Sequence, residues 1–252
     1  MEREFWIDNF NMDTIDYFFV RGIDVTPIPR ETLQSDRGGD DGAVVSSQYM
    51  RTRKIIARCE IVAPGYVPGQ IAHDNVIERL YGTNKLLSFI YAGDDRHFTG
   101  TPSEPVESEW IGGFKRMSLI FDCHDPFGYS PNYTTSSVSA QTASSISTSP
   151  SWNGTYSALP IITIDINSLT VSNPGTITVQ SGSGTVAITR TWTAGELLIV
   201  NSETGKITVD GVEVPYSGIL PRFTETQKST TYTDNFTARN IDLEVKYKAR
   251  YV

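Results

Sequence analysis

Residues 196–216, ELLIVNSETGKITVDGVEVPY, leave this chain little conformational freedom. Two short apolar, β-branched runs at 197–200 and 206–209 flank NSETG, and Asp210-Gly211 leads at once into a third run at 212–214. Asp-Gly in a two-residue loop suits the positive φ angles of a type I′ turn, whose twist matches that of paired strands. The stretch is therefore a β-meander. Further runs at 161–166, 176–180 and 185–191 alternate or are β-branched, and 243–252 alternates Leu, Val and Tyr in a last strand. Strands this short, at this spacing, predict a sandwich or barrel.

The first half reads as strands with one interruption. Residues 16–23 (DYFFVRGI) form an aromatic strand that Pro27 and Pro29 stop, and residues 51–62 (RTRKIIARCEIV) form a long strand with basic outer positions. Strands at 86–91 and 115–122 follow. The helix falls at residues 70–81, where Ala72, Val76 and Leu80 recur at i+4 and Ile77 and Tyr81 widen the face. Pro68-Gly69 precede it, and Gly82 sits where a left-handed residue closes a helix. His73, Asp74, Glu78 and Arg79 then face solvent or a neighbour. Residues 34–42, QSDRGGDDG, are too polar and glycine-rich for a core element and predict a mobile loop or arm.

Composition changes after that. Residues 134–151 hold twelve Ser/Thr in eighteen positions, without charge or aromatics, which predicts a linker or a solvated edge strand. The chain divides there into an N-terminal β domain, 1–131, carrying helix 70–81, and a C-terminal β domain, 132–252.

Charge narrows the function. The net charge is −8, and seven of those charges lie in residues 1–125. Such acidity argues against non-specific nucleic-acid binding, which rests on basic groups neutralising phosphates. The amino-terminal MEREFWIDNF has no apolar signal segment, and no run approaches the ~20 apolar residues of a membrane span. The two cysteines, Cys59 and Cys123, sit in apolar strand-like runs and read as buried thiols, with a disulfide between them as the alternative.

Candidate chemistry is sparse. Asp122-Cys123-His124-Asp125 has metal-ligand residue types, but neighbours on a strand point to opposite faces, so the reading is a strand end running into an Asp-Pro turn. His97 is expected in a solvated hairpin loop. Ser181-Gly182-Ser183-Gly184 lacks the following helix of a phosphate cradle. Asp94/Asp95 and Glu104/Glu107/Glu109 are the carboxylates a glycosidase could use, and loop acids are the plainer account. No catalytic residue, cofactor or metal site is expected. In the basic strand, Arg51 and Arg53 share a face at period two, and with Lys54 and Arg58 they form either a solvated face or a charged subunit interface or channel lining.

The ordered set of motifs resembles the distal tail proteins of long-tailed, non-contractile bacteriophages (siphophages). Ile15-Asp16-Tyr17-Phe18 is similar to that family's opening strand, followed by the glycine-bearing loop Arg37-Gly38-Gly39-Asp40-Asp41-Gly42. The long strand, the helix and a hairpin with an Asp94-Asp95-Arg96 tip come next. Gly113-Phe114-Lys115, then Leu119-Ile120-Phe121-Asp122-Cys123, Asp125-Pro126-Phe127 and Tyr129, carries the strongest likeness. In the second half, Trp152-Asn153-Gly154-Thr155 with Leu159-Pro160-Ile161-Ile162, and 194–200 through 205–211, resemble the C-terminal domain. The usual Pro-Gly-Glu-Asn turn is missing from 218–234.

The resemblance implies a mainly β structural protein with an N-terminal sandwich or split barrel and a C-terminal galectin-like β-sandwich. It also implies a homo-hexameric ring in the tail tip or baseplate, with a channel through which DNA passes without specific binding. The implied partners are the tail-tube protein, the tail-associated lysin or tip protein and, in some phages, receptor-binding proteins. The virion tail tip is the implied location, after synthesis in the host cytoplasm without a signal peptide. Arg51, Arg53, Lys54 and Arg58, with Arg37, Asp40 and Asp41 of the loop, are the expected interface or channel residues. The alternative is a carbohydrate-binding module on residues 132–252, with Trp152, Trp192, Tyr156 and Tyr216 as candidate platforms for host polysaccharide.

Overall fold

The structure, a computed structural model, describes residues 4–36, 43–170 and 174–252. The chain forms two compact units, Met1–Tyr129 with Val252, and Ser130–Tyr251.

In the first unit the strands are β1 (Phe5–Ile7), β2 (Phe10–Asn11), β3 (Phe18–Val25), β4 (Arg30–Asp36), β5 (Ala43–Met50) and β6 (Arg53–Val62), followed by helix α1 (Tyr66–Leu80). After it come β7 (Lys85–Tyr91), β8 (Asp94–Pro102), β9 (Val106–Glu107), β10 (Phe114–Cys123) and β11 (Gly128–Tyr129). The main sheet runs β2-β1-β7-β8-β10-β6-β3, and its pairs are antiparallel. β8 pairs along its length with β7 and at Pro102 and Thr101 with β10, so it links two layers around a core of Phe5, Phe18, Ile55, Phe98, Leu119 and Phe121. β6 and β10 supply the regular frame: alternate residues of each are buried, as a half-buried sheet requires.

The helix starts four residues before its predicted position. Pro68 is its third residue, where a missing N–H costs nothing because first-turn N–H groups have no intrahelical partner. Ala72 and Val76 are buried as predicted, whereas Tyr81 lies past the helix end and is exposed. Gly82, at φ +99°, closes the helix.

Three other expectations change. Residues 34–36 belong to β4 rather than to a loop, while Arg37–Gly42, with Arg37, Asp40 and Asp41, lie outside the described residues. The β7–β8 turn is Ala92-Gly93, both at positive φ, so Asp94–Arg96 begin β8 and His97 is a strand residue opposite Ser88. Arg53 is the first residue of β6 and points inward, so it does not share an exposed face with Arg51.

The second unit holds β12 (Thr134–Gln141), β13 (Ser145–Thr148), β14 (Ile161–Thr170), β15 (Gly175–Ser181), β16 (Gly184–Arg190) and β17 (Leu197–Asn201). It continues with β18 (Lys206–Val209), β19 (Val212–Glu213), β20 (Ser217–Ile219), β21 (Thr230–Asp234), β22 (Ala238–Tyr247) and β23 (Arg250–Tyr251). Two antiparallel sheets, β12-β22-β14-β17-β18-β19 and β13-β21-β15-β16-β20, enclose one core that includes Ile164, Val179, Val186, Leu198, Leu243 and Tyr247. This is a β-sandwich. The Ser/Thr-rich stretch supplies the edge strand of each sheet, β12 and β13. Asp210 and Gly211 adopt φ of 49° and 80°, the geometry of a type I′ turn, so the meander forms as its sequence dictates.

Candidate assembly surface

The outer face of β3, β6 and β10 carries a set of exposed, ion-paired charges. Antiparallel register sets Lys54 opposite Asp122 and Glu60 opposite Arg116. Lys54 Nζ lies 3.6 Å from Asp122 Oδ1. Glu60 receives Arg21 at 2.8 Å and Arg116 at 3.3 Å, and Arg58 pairs with Asp24 at 2.5 Å. Arg51 pairs with Glu31 of the neighbouring hairpin. Arg21's hydrogen bond, against slight burial and with help from Arg116, holds the Glu60 carboxyl below its usual range. Exposed pairs of this kind contribute about 0–1 kcal/mol each, so they can re-pair with a neighbour at little cost.

Arg53 behaves differently. It is 4% exposed, with its guanidinium 6.0 Å from the centre of the Phe98 ring. Burial pulls its pKa down, while Tyr91 and Cys123 act in the other direction. It is part of the core and not of the exposed face.

Beside this face, α1 is tied to the sheet by a polar cluster that its sequence pattern did not reveal. His73 was expected to face solvent or a neighbour; its Nε2 lies 2.8 Å from Glu107 Oε1 of β9, and Lys115 Nζ lies 2.5 Å from Glu107 Oε2. His73 Nδ1 lies 3.4 Å from Asp74, and the Lys115 ammonium sits 5.2 Å from the Trp110 ring centre. Helical periodicity cannot signal a partner 34 residues away. Burial alone would raise the Glu107 carboxyl, but Lys115 and His73 outweigh it and hold the pKa below the usual value of 4.5. A depressed carboxylate contributes stability that is present above its unfolded pKa and lost as pH falls through the folded one. Acid titration below about pH 4.5 is expected to destabilise this unit, and Glu107→Gln to flatten that limb. Equal acid slopes for both proteins in urea melts would refute this role for Glu107.

Two further features leave surface in need of cover. Among the described residues, β4 and β5 pair only with each other, and a lone two-stranded hairpin is marginal in water. Tyr66, Val67 and Ile71 of α1, and Ile111 ahead of β10, expose large apolar side chains. Tyr66 also meets the Trp110 ring edge-on at 5.5 Å.

The Asp122–Asp125 cluster disperses. Asp122 faces Lys54 and Ser103, Cys123 is buried, and Asp125 accepts the Tyr129 hydroxyl at 2.5 Å. Burial pushes the Cys123 thiol up to about 12, and Arg53 only partly opposes this. Cys59 and Cys123 are free thiols, placed opposite Met117 and Arg53 in the β6–β10 register. Six residues along that ladder amount to about 20 Å, beyond the reach of a disulfide.

The candidate sugar platforms are largely packing groups. Trp192 is 2% exposed and donates to the Gly175 carbonyl, and Trp152 stacks on Tyr247 at 5.5 Å. Tyr156 lies under the Arg250 guanidinium, which leaves Tyr216 as the exposed one of the four.

Two β units, the first carrying one helix and an ion-paired outer face, define a mainly β protein. That architecture is similar over its whole length to the SPP1 Dit (gp 19.1) protein, described as a paradigm of hub adsorption apparatus in phages infecting Gram-positive bacteria. The two share 16% identity, with a TM-score of 0.74 and 100% of both chains covered. Structures of the phage p2 baseplate in its activated conformation also align. The strontium form has 9% identity, a TM-score of 0.48 and 100% of both chains covered. The calcium form has 10% identity and a TM-score of 0.47, covering 99% of this chain and 98% of the other. No protein-family model and no curated protein sequence matches the chain.

Proposed function

We propose that this chain is a structural component of a bacteriophage tail tip, six copies of which form a ring joining the tail tube to the tip or baseplate hub. The observation that carries this reading is the full-length fold likeness to the SPP1 Dit hub protein. The ring leaves a channel for DNA, which passes without specific binding. The first unit builds the ring. The tail-tube protein and the tail-associated lysin or tip protein bind its two sides, with receptor-binding proteins added in some phages.

Local structure supports the assembly. The β4–β5 hairpin lacks a third strand among the described residues, and a neighbouring copy would supply the cover it needs. Arg51, Lys54 and Arg58 sit on an exposed, self-neutralised face whose weak pairs can be exchanged across an interface. Native mass spectrometry with negative-stain imaging tests the reading, and sixfold rings are the expected result. A chain that stays monomeric at about 100 µM, far above the micromolar range in which a −8 kcal/mol contact assembles, would sink it.

A further inference from the structure

Across the adjacent strands β3, β6, β10 and β9 lies an open groove of about 440 Å³. Arg21, Arg58 and Arg116 rim it, with Glu60 and Glu107 between them and Val106 on its wall. Its charges do not balance. Arg58 is matched by Asp24, and Glu107 is held by Lys115 and His73. Arg21 and Arg116 share the single carboxylate of Glu60, which leaves one guanidinium in surplus. Val106 is 63% exposed, an apolar contact without a partner in the unit.

The β7–β8 hairpin has the opposite character. The positive φ angles of Ala92 and Gly93 make its turn tight. Asp94 is matched by Arg96 at 2.8 Å. The register sets Asp95 opposite Ile90, so a carboxylate and an isoleucine that is 58% exposed lie side by side on one face. Among the described residues, Asp95 makes no ion pair.

We propose that the groove of one copy receives the β7–β8 tip of a second copy, with Ile90 against Val106 and Asp95 on the Arg21–Arg116 pair. One surplus positive charge beside the exposed Val106 meets one surplus negative charge beside the exposed Ile90. A copy does not fill its own groove. Pro102 pairs with Phe121, and from there the tip lies eight residues back along β8. Arg116 lies five residues back along the antiparallel β10, in the opposite sense. A patch at one end that fits a different patch at the other makes a head-to-tail contact, the type that closes into rings when its rotation allows. This inference rests on the ring reading and assigns the surfaces the ring would use.

The test is charge reversal in the full chain, with self-association followed by light scattering and native mass spectrometry. Circular dichroism melts confirm that each variant is folded. Asp95→Arg and Arg116→Glu are each expected to weaken assembly by about tenfold or more, with the double variant restored to within about threefold of wild type. Ile90→Ser is expected to weaken it without changing its salt dependence. Folded single variants that assemble like a ring-forming wild type would overturn the groove assignment and leave the ring standing. Single variants that fail without rescue in the double would also overturn it. A wild-type chain that never associates would overturn both.

Discussion

Truncating Phe121 to alanine is expected to cost the first unit about 3–5 kcal/mol, the usual loss for a buried phenylalanine. Phe121 is fully buried on β10 and meets Phe5 of β1 edge-on, with ring centres 6.0 Å apart. Phe5 lies 6.0 Å from Phe89, which stacks on Phe98 at 5.3 Å, so one aromatic chain bridges both layers. The Phe121 Cβ also closes the space over Gly100, where an added methyl would sit 3.0 Å from it. Relaxation into the cavity would have to move β8, which is anchored on both sides. The second unit has its own core, and the substitution removes nothing from it. Chemical denaturation should therefore show an early transition for one unit and an unchanged one for the other. A loss below about 1 kcal/mol would show that the core re-packs around the gap.

Asp234→Ala is expected to be as damaging in the second unit, by about 3–5 kcal/mol, because it strands a buried cation. The Asp234 side chain is 0% exposed and that of Arg239 8%, with Oδ1 and Nε 2.9 Å apart. The same oxygen accepts the Phe236 backbone N–H at 2.7 Å, closing the turn between β21 and β22. Arg239 Nη1 donates to the Thr142 carbonyl at 3.1 Å, and a second Arg239 nitrogen donates to that of Phe236. Burial, with Asp234 alongside, pushes the Tyr232 hydroxyl far above its usual pKa, so it stays neutral. Replacing both charges, Asp234→Leu with Arg239→Met, should recover most of the loss, since a buried pair exchanged for apolar groups is often nearly neutral. Equal destabilisation by the single and double variants in urea melts would show that the turn hydrogen bond, not the stranded charge, sets the cost.

Where the sequence was legible, the reason is local. Asp210-Gly211 favours a tight turn with both φ angles positive, and the runs on its two sides, 206–209 and 212–214, pair across it. Residues 51–62 and 115–122 read as strands, although the sequence did not show that the first begins at Arg53 or that the two pair with each other. Arg51 lies two residues before that start, outside the strand, so the period of two that would have put it on the same face as Arg53 does not reach it. The helix start was missed because Pro68 reads as a breaker, yet it is harmless in a first turn. His73 was missed because its carboxylate partner lies on another element.

By itself the sequence determined an all-β chain in two parts, the one helix, the turn chemistry, the buried thiols and the ordered motifs that resemble phage distal tail proteins. These rest on spacing and residue type within short windows. Only the tertiary structure decided which charges face outward, that Arg53 is buried, that Trp152 and Trp192 are packing groups, and that Glu107 holds both His73 and Lys115. It also brought Arg21, Glu60 and Arg116 together from three strands, leaving one unmatched guanidinium beside an exposed apolar wall. Pairings between residues tens of positions apart depend on strand order and register, which no local pattern encodes.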